Sequence, residues 1–168
     1  MPGLRTKLLL ASTVILVACG VRAETWRTYH AEKFWTTADV PANWSMHPPP
    51  DADDGRTFSS PDKLAEIRVW GTFFEATVAE EMAFYTKPRE GETITYQKRG
   101  RRWFVVSGTR GGRIFYAKLI VSCRETIWNG LSIEYPAAEK EKYEALIAHV
   151  SASLRGGQGY DFVTNECG

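Results

Sequence analysis

Between residues 93 and 124 the chain carries no Asp or Glu, yet it holds Lys98, Arg99, Arg101, Arg102, Arg110, Arg113, Lys118 and Arg124. In a chain with 21 Lys and Arg against 20 Asp and Glu, that is a marked segregation of charge. Cations grouped this way bind anions such as a phosphate, a carboxylate or a lipid headgroup. Lys98, Arg99, Arg101 and Arg102 fall in one expected turn, and Arg110 and Arg113 in another. The two turns border one strand at opposite ends. A five-residue strand there would part them by about 17 Å. The competing reading is a solvated face, with some arginines paired to glutamates on helices.

Other chemistries find less support. Gly108-Thr109-Arg110-Gly111-Gly112-Arg113 lacks the Lys-Ser/Thr ending of a phosphate loop and no helix pattern follows it, so it reads as a hairpin turn. Counting a calcium loop from Asp51 puts Arg56 where Gly is needed and Asp62 where Glu is needed, so that pattern fails. Ser107 sits in Val-Val-Ser-Gly-Thr rather than Gly-x-Ser-x-Gly, and His30, His47 and His149 are far apart in sequence. Glu66, Glu75 and Glu134 carry no mark of a hydrolytic carboxylate pair. No metal-ligand spacing occurs, and no cofactor is implied. Trp26, Trp35, Trp70, Trp103 and Trp128 fall on expected strands or beside them. They would floor a pocket if several shared a side, or fill a core if they did not.

The N-terminus has the layout of an export signal. Arg5 and Lys7 precede an apolar run over residues 8–18, too short to span a bilayer, which needs about 20 residues. Two endings compete. Leu16-Val17-Ala18-Cys19 resembles a lipobox, with Cys19 lipidated and the protein anchored; Val21-Arg22-Ala23 fits ordinary cleavage before Glu24 and a soluble product. Residues 1–23 are therefore expected to be a signal peptide and the mature protein to be periplasmic or otherwise extracytoplasmic. Losing Arg5 and Lys7 turns the formal charge from +1 to −1, and losing Arg22 as well turns it to −2. Neither value suggests a nucleic-acid partner. Cys123 and Cys167 then remain as an even pair in an oxidising compartment, so a disulfide is expected between them. By chain entropy it would contribute roughly 4 kcal/mol.

About 145–150 residues remain after cleavage, one domain's worth. With 43% apolar residues, including six Trp and eight Phe, they can build a core. Strands are expected near residues 25–29, 34–44, 56–59, 65–74, 93–98, 103–107, 114–122 and 127–135. The strand at 103–107 is apolar on both faces and so expected to be central and covered on both sides. Thr77-Val78-Ala79-Glu80 has capping-box form and opens a helix, buried through Val78, Met82 and Tyr85, that Pro88 stops. Pro136 opens a last helix on which Tyr143, Leu146, Ile147, Val150 and Leu154 recur at helical spacing. The order implies a single α+β domain over residues 24–168, with a tail from about residue 155. Its mainly antiparallel sheet of six to seven strands would be covered by two main helices.

Tyr29-x4-Phe34, Val40-Pro41-x-x-Trp44, Phe58-Ser59-Ser60-Pro61-Asp62 before an alternating strand, and Tyr135-Pro136 before the terminal helix also occur together. In this the chain resembles the PsbP-like family of α/β/α-sandwich domains, and more narrowly exported bacterial proteins with the same pattern. The resemblance spans nearly the whole mature chain and implies the fold. That family includes photosystem accessory subunits and envelope lipoproteins and shares no catalytic residues, so none is carried over.

The expectation that follows is a non-enzymatic envelope domain that binds a protein or an anionic ligand through Lys98, Arg99, Arg101, Arg102, Arg110 and Arg113. The rival is a small periplasmic hydrolase or ligand-binding enzyme with a Trp- and Glu-lined cleft. Membrane contact is expected only if Cys19 is lipidated, through a tether of residues 20–24 reaching at most about 18 Å. That short tether favours the soluble form.

Overall fold

The computed structural model describes residues 24–158 together with 160, 161, 164, 166 and 167. The expected export segment, residues 1–23 with Cys19, lies outside the described residues, as does the side chain of Cys167. In chain order the elements are β1 (Trp26–Ala31), a 3-10 turn (Glu32–Phe34), β2 (Thr36–Pro41), β3 (Ser45–Met46), β4 (Gly55–Ser59) and β5 (Glu66–Phe73). Then come α1 (Val78–Thr86), β6 (Glu92–Arg99), β7 (Trp103–Arg110), β8 (Arg113–Ser122) and β9 (Ile127–Pro136). A second 3-10 turn (Ala137–Glu139), α2 (Lys140–Ser153), β10 (Tyr160–Asp161) and β11 (Glu166–Cys167) complete the order. Seven strands form one sheet in the order β3-β4-β5-β9-β8-β7-β6, and every neighbouring pair is antiparallel. The β1–β2 hairpin stands apart from it. This is the expected α+β architecture.

Strand alternation sorts the apolar side chains to two faces. On one face Phe58, Ile67, Val69, Leu131, Ile133 and Tyr135 pack beneath the β1–β2 hairpin and α2. The hairpin supplies Ala38 and Val40 to this core, and α2 supplies Tyr143, Leu146, Ile147 and Val150, with Leu154 just after its end. On the other face Trp70, Phe104, Val106, Leu119, Val121 and Trp128 pack under Val78, Met82 and Tyr85 of α1. Each large side chain fully buried in these cores contributes about 1.5–3 kcal/mol of transfer free energy, whereas Val78, Met82 and Tyr85 of α1 are only partly buried. The capping box forms as expected: Thr77 Oγ1 accepts from the Glu80 amide at 3.3 Å, and Glu80 Oε2 accepts from the Thr77 amide at 2.9 Å. Trp70 and Trp128 are core residues, whereas Trp26 packs at the margin of the hairpin-side core. The tryptophans therefore do not share one side.

One strand departs from expectation. The segment from Trp103 is not central. It is the next-to-last strand, flanked by the outermost β6, and Trp103 and Ser107 on its hairpin face are only half-buried. Apolar alternation reports that a strand has neighbours on both faces, but not how many strands lie beyond it. The strand is also eight residues long, so the turns at its ends lie about 27 Å apart, not 17 Å. Among the described residues no helix is long and apolar enough to cross a membrane.

The hairpin layer is fastened to the sheet by Asn129, which is fully buried on β9. Its Nδ2 donates to the Phe34 carbonyl at 3.0 Å and to Thr36 Oγ1 at 2.7 Å. Thr36 Oγ1 donates onward to the Trp70 carbonyl at 3.0 Å. Ser122 Oγ donates to Asn129 Oδ1. Gly156 crosses so close that a Cβ there would strike Asn129 Oδ1 and Ser122 Oγ. One amide thus ties β9 to the 3-10 turn, β2 and the end of β8, and the tail crosses against it. Replacing it strands several buried polar groups, each at about 1–3 kcal/mol. Asn129→Ala is expected to lower unfolding free energy by about 3 kcal/mol or more, measured by urea denaturation. A loss under about 1 kcal/mol would show that the network is not structural.

Candidate functional site

The acid-free stretch folds into β6, β7, β8 and the turns between them. At one end of the sheet lies the turn from Arg99 to Trp103. It is closed by the Gly100 amide donating to the Trp103 carbonyl at 2.9 Å. Position 100 must be small, because a Cβ there would strike the Trp103 indole. The neighbouring β8–β9 turn reaches the same end, since Ser122 and Ile127 face each other at its base and the Val121 amide donates to the Arg102 carbonyl at 2.8 Å. In that turn Cys123, Arg124 and Glu125 all adopt positive φ, at 50°, 56° and 69°. Three consecutive non-glycine residues in this region are costly and persist only where the surroundings impose them. Arg102 Nε lies 3.6 Å from Glu125. Among the described residues, no carboxylate lies within ion-pair distance of Lys98, Arg99, Arg101 or Arg124.

The far end of β7 is different. Arg110 donates to Glu92 Oε1 and to Glu134 Oε2, each at 2.8 Å. Arg113 donates to Glu134 Oε1 at 2.6 Å and to the Leu64 carbonyl at 2.9 Å. The acids come from β6 and β9, the strands that flank this turn in space. Lys118 is engaged too, donating to the Ser151 carbonyl of α2 at 2.6 Å, and burial pushes its pKa below the ordinary lysine value, with Arg155 adding to the effect. The cations named from the sequence therefore separate into two groups. Lys98, Arg99, Arg101 and Arg102 gather with Arg124 at one end; Arg110 and Arg113 close an internal charge network at the other.

Beside that network a groove of about 270 Å³ opens on the α1 side. Val106, Phe115 and Ala117 line its apolar part, and Glu66, Arg68, Arg89 and Glu134 its polar part. Tyr85 closes it from α1; burial raises its hydroxyl pKa, and Glu81 adds to the rise. Glu66 and Glu134 are direct cross-strand partners, an adjacency invisible in the sequence because 68 positions separate them. Glu134 is held by two guanidiniums. Glu66 Oε1 accepts from Ser59 Oγ at 3.3 Å, and Ser59 Oγ meets His47 Nε2 at 2.7 Å. This chain of side chains has the wrong connectivity for nucleophilic catalysis. A catalytic carboxylate orients the histidine, whereas here it holds the serine. Ser59 is 7% exposed and does not line the groove. The arrangement fixes β3, β4 and β5 to one another.

The remaining histidines are structural in their contacts. His149 stacks on Trp26 at 3.9 Å and meets Asp39 at 2.9 Å, while His30 meets Thr37 at 2.8 Å. Asp62 accepts from Ser60 Oγ, the Leu64 amide and Lys142, which together lower its pKa to about 2. That turn and Trp44 border a cavity of about 540 Å³, where Glu24 also lies. Among the described residues no cluster of His, Cys, Asp and Glu could hold a metal ion.

No protein-family profile matches this chain, and no curated protein sequence matches it. Solved structures do. Cyanobacterial PsbP (CyanoP) from Synechocystis sp. PCC 6803 aligns with a TM-score of 0.59 at 13% identity, covering 84% of this chain and 98% of that one. The Ran-binding protein Mog1p of Saccharomyces cerevisiae aligns at 0.57 and 10% identity, covering 79% and 96%. LpqN of Mycobacterium tuberculosis, described as involved in cell envelope biogenesis, aligns at 0.54 and 13% identity, covering 80% and 92%. The chain has a PsbP-like fold. At such identities the likeness concerns fold and not activity.

The two groups of arginines should respond differently to truncation. Arg110→Ala leaves the Glu92 carboxylate, whose side chain is 7% exposed, without its cation. It is expected to cost about 1–3 kcal/mol. Arg101→Ala removes no ion pair and should stay within about 0.5 kcal/mol. Thermal denaturation of the two variants side by side decides the matter, and equal losses would contradict the division.

Proposed function

We propose that this chain is an exported envelope protein whose α+β domain serves as a non-enzymatic binding or accessory module. The basic end of its sheet receives an anionic partner. One observation carries this: Lys98, Arg99, Arg101 and Arg124 stand together without acidic partners among the described residues, while the cations at the opposite end of β7 are neutralised internally. A surface of like charges kept unpaired attracts an anionic surface over roughly a Debye length, about 8 Å at physiological salt. The fold supports the same reading, since it is shared with a cyanobacterial PsbP, a Ran-binding protein and a protein involved in cell envelope biogenesis.

Geometry favours a protein over a membrane as the partner. Glu24 borders the same cavity as Ser60, Pro61 and Asp62, and Arg113 bonds the nearby Leu64 carbonyl. The chain therefore enters at the Arg110–Arg113 end. The ten residues of β8 span about 33 Å from there to the basic turns. A lipid on Cys19, tethered by about 18 Å of chain, would hold the neutralised end at the bilayer and the basic end away from it. Combined Arg99→Glu, Arg101→Glu, Arg102→Glu and Arg124→Glu substitution should abolish cross-linked complexes recovered from envelope extracts. A Lys63→Glu, Lys87→Glu control should retain them. Complexes unchanged by the four reversals would refute the assignment.

Cleavage before Glu24 and a Cys123–Cys167 bridge belong to the same reading. Cys123 is buried with Phe34 and Ile127, and β11, which carries Cys167, packs against the 3-10 turn that bears Phe34. The intact mass of periplasmic protein, taken without reductant, should match a chain starting at Glu24 and lacking two hydrogens. Two alkylatable thiols would refute the bridge, and a lipidated Cys19 would refute the cleavage site.

A further inference from the structure

The seven-stranded sheet has two edges of unlike character. At one, β3 is only two residues long and is soon followed by Pro48, Pro49 and Pro50, which have no amide to donate. At the other, β6 runs for eight residues, with Thr93 and every position from Thr95 to Arg99 exposed. Among the described residues no strand lies beyond β6, and no backbone bond from an element other than β7 reaches residues 93–99. Tyr96 is 51% exposed there. Tyr96 and Thr95 also border a groove of about 580 Å³ that runs inward over Ser107 and Ile114 to Tyr135 and to Ile147 of α2.

We propose that β6 is a docking edge for an extended acidic segment of a partner protein, which adds an eighth strand antiparallel or parallel to it. This inference rests on the assignment of the basic end as a partner surface, and it specifies how the partner is held. Strand addition supplies main-chain hydrogen bonds, while flanking grooves select alternate side chains. The groove bordered by Tyr96 takes an apolar or aromatic side chain from the incoming strand. Lys98 and Arg99, followed by Arg101 in the adjoining turn, take carboxylates at its end. Charge also argues against a second copy of this chain as the occupant. Glu92, the one acid of β6, is tied to Arg110 and its side chain is 7% exposed, so a paired β6 would bring only uncompensated cations to the shared edge.

The register of β6 with β7 passes from Ile94 opposite Gly108 to Tyr96 opposite Ser107, so Thr95 is a bulge residue outside the ladder. A proline is tolerated at such a position, and its ring and locked φ obstruct an added strand there. The test selects peptides from a phage-displayed library of random dodecapeptides on the intact mature protein. The expected peptides are acidic and rich in β-branched residues. Their binding should weaken by about tenfold or more in Thr95→Pro and in Lys98→Glu, Arg99→Glu. In the unsubstituted protein, bound peptide should slow hydrogen exchange at β6 amides, a readout that does not depend on any variant folding. Failure to select such peptides, exchange protection at another element, a dimer joined through β6, or undiminished binding by a folded Thr95→Pro protein would each overturn the proposal. If Thr95→Pro keeps envelope complexes that the Arg99, Arg101, Arg102 and Arg124 reversal loses, the edge is wrong and the basic-end reading stands.

Discussion

A single buried amide holds the layers of this domain together. Asn129 sits on the hairpin-side face of the central strand β9, near the β8–β9 turn, where an apolar side chain would ordinarily be found. It bonds instead to Phe34, Thr36 and Ser122. The Phe34 carbonyl of the 3-10 turn and the Thr36 hydroxyl at the start of β2 would otherwise lack this donor in a buried interior, a costly state. By satisfying them from β9, Asn129 fixes where the β1–β2 hairpin lies, while the tail is held beside it by the paired backbone bonds of Arg155 with Thr37. The apolar packing around it is less directional. Hydrophobic burial makes the two cores favourable, but the amide network sets their alignment.

The same sheet divides its charges by position. β7 carries basic turns at both ends, yet only one end meets glutamates on adjacent strands. At the Arg110 end, β6 begins with Glu92 and β9 nears its end with Glu134, and antiparallel register brings both to the arginines. At the other end the flanking residues are Arg99, Arg101 and Arg124, with Glu125 engaged by Arg102. Three residues of positive φ hold that turn in shape. One end of the sheet is therefore internally neutral, and the other presents unpaired cations beside an open strand edge.

Much of the architecture was legible in local sequence. Alternation marked the strands from Ile67 to Tyr135, helical spacing marked α2, and Thr77-x-x-Glu80 marked the start of α1. These signals are local because strand pleat, helix pitch and caps are set by nearest neighbours along the chain. The place of β7 in the sheet was not legible, since an apolar strand reads alike whether it is central or next to an edge. The candidate site was half legible. The excess of cations from residue 93 to 124 was plain, but their partners were not, because Glu92 lies just outside that stretch and Glu134 comes from β9. The Glu66–Glu134 adjacency, the Ser59–His47 contact and the role of Asn129 left no pattern in the sequence at all.

The sequence by itself determined the fold class, the elements and the basic composition of one stretch, because periodicity and charge content are properties of contiguous residues. Only the tertiary structure decided which of those cations are free to meet a partner. Whether an arginine is paired depends on what antiparallel register carries to its side, and register joins residues many positions apart. Arg101 and Arg110 are alike in sequence, and strand pairing alone makes one an open charge and the other a structural one.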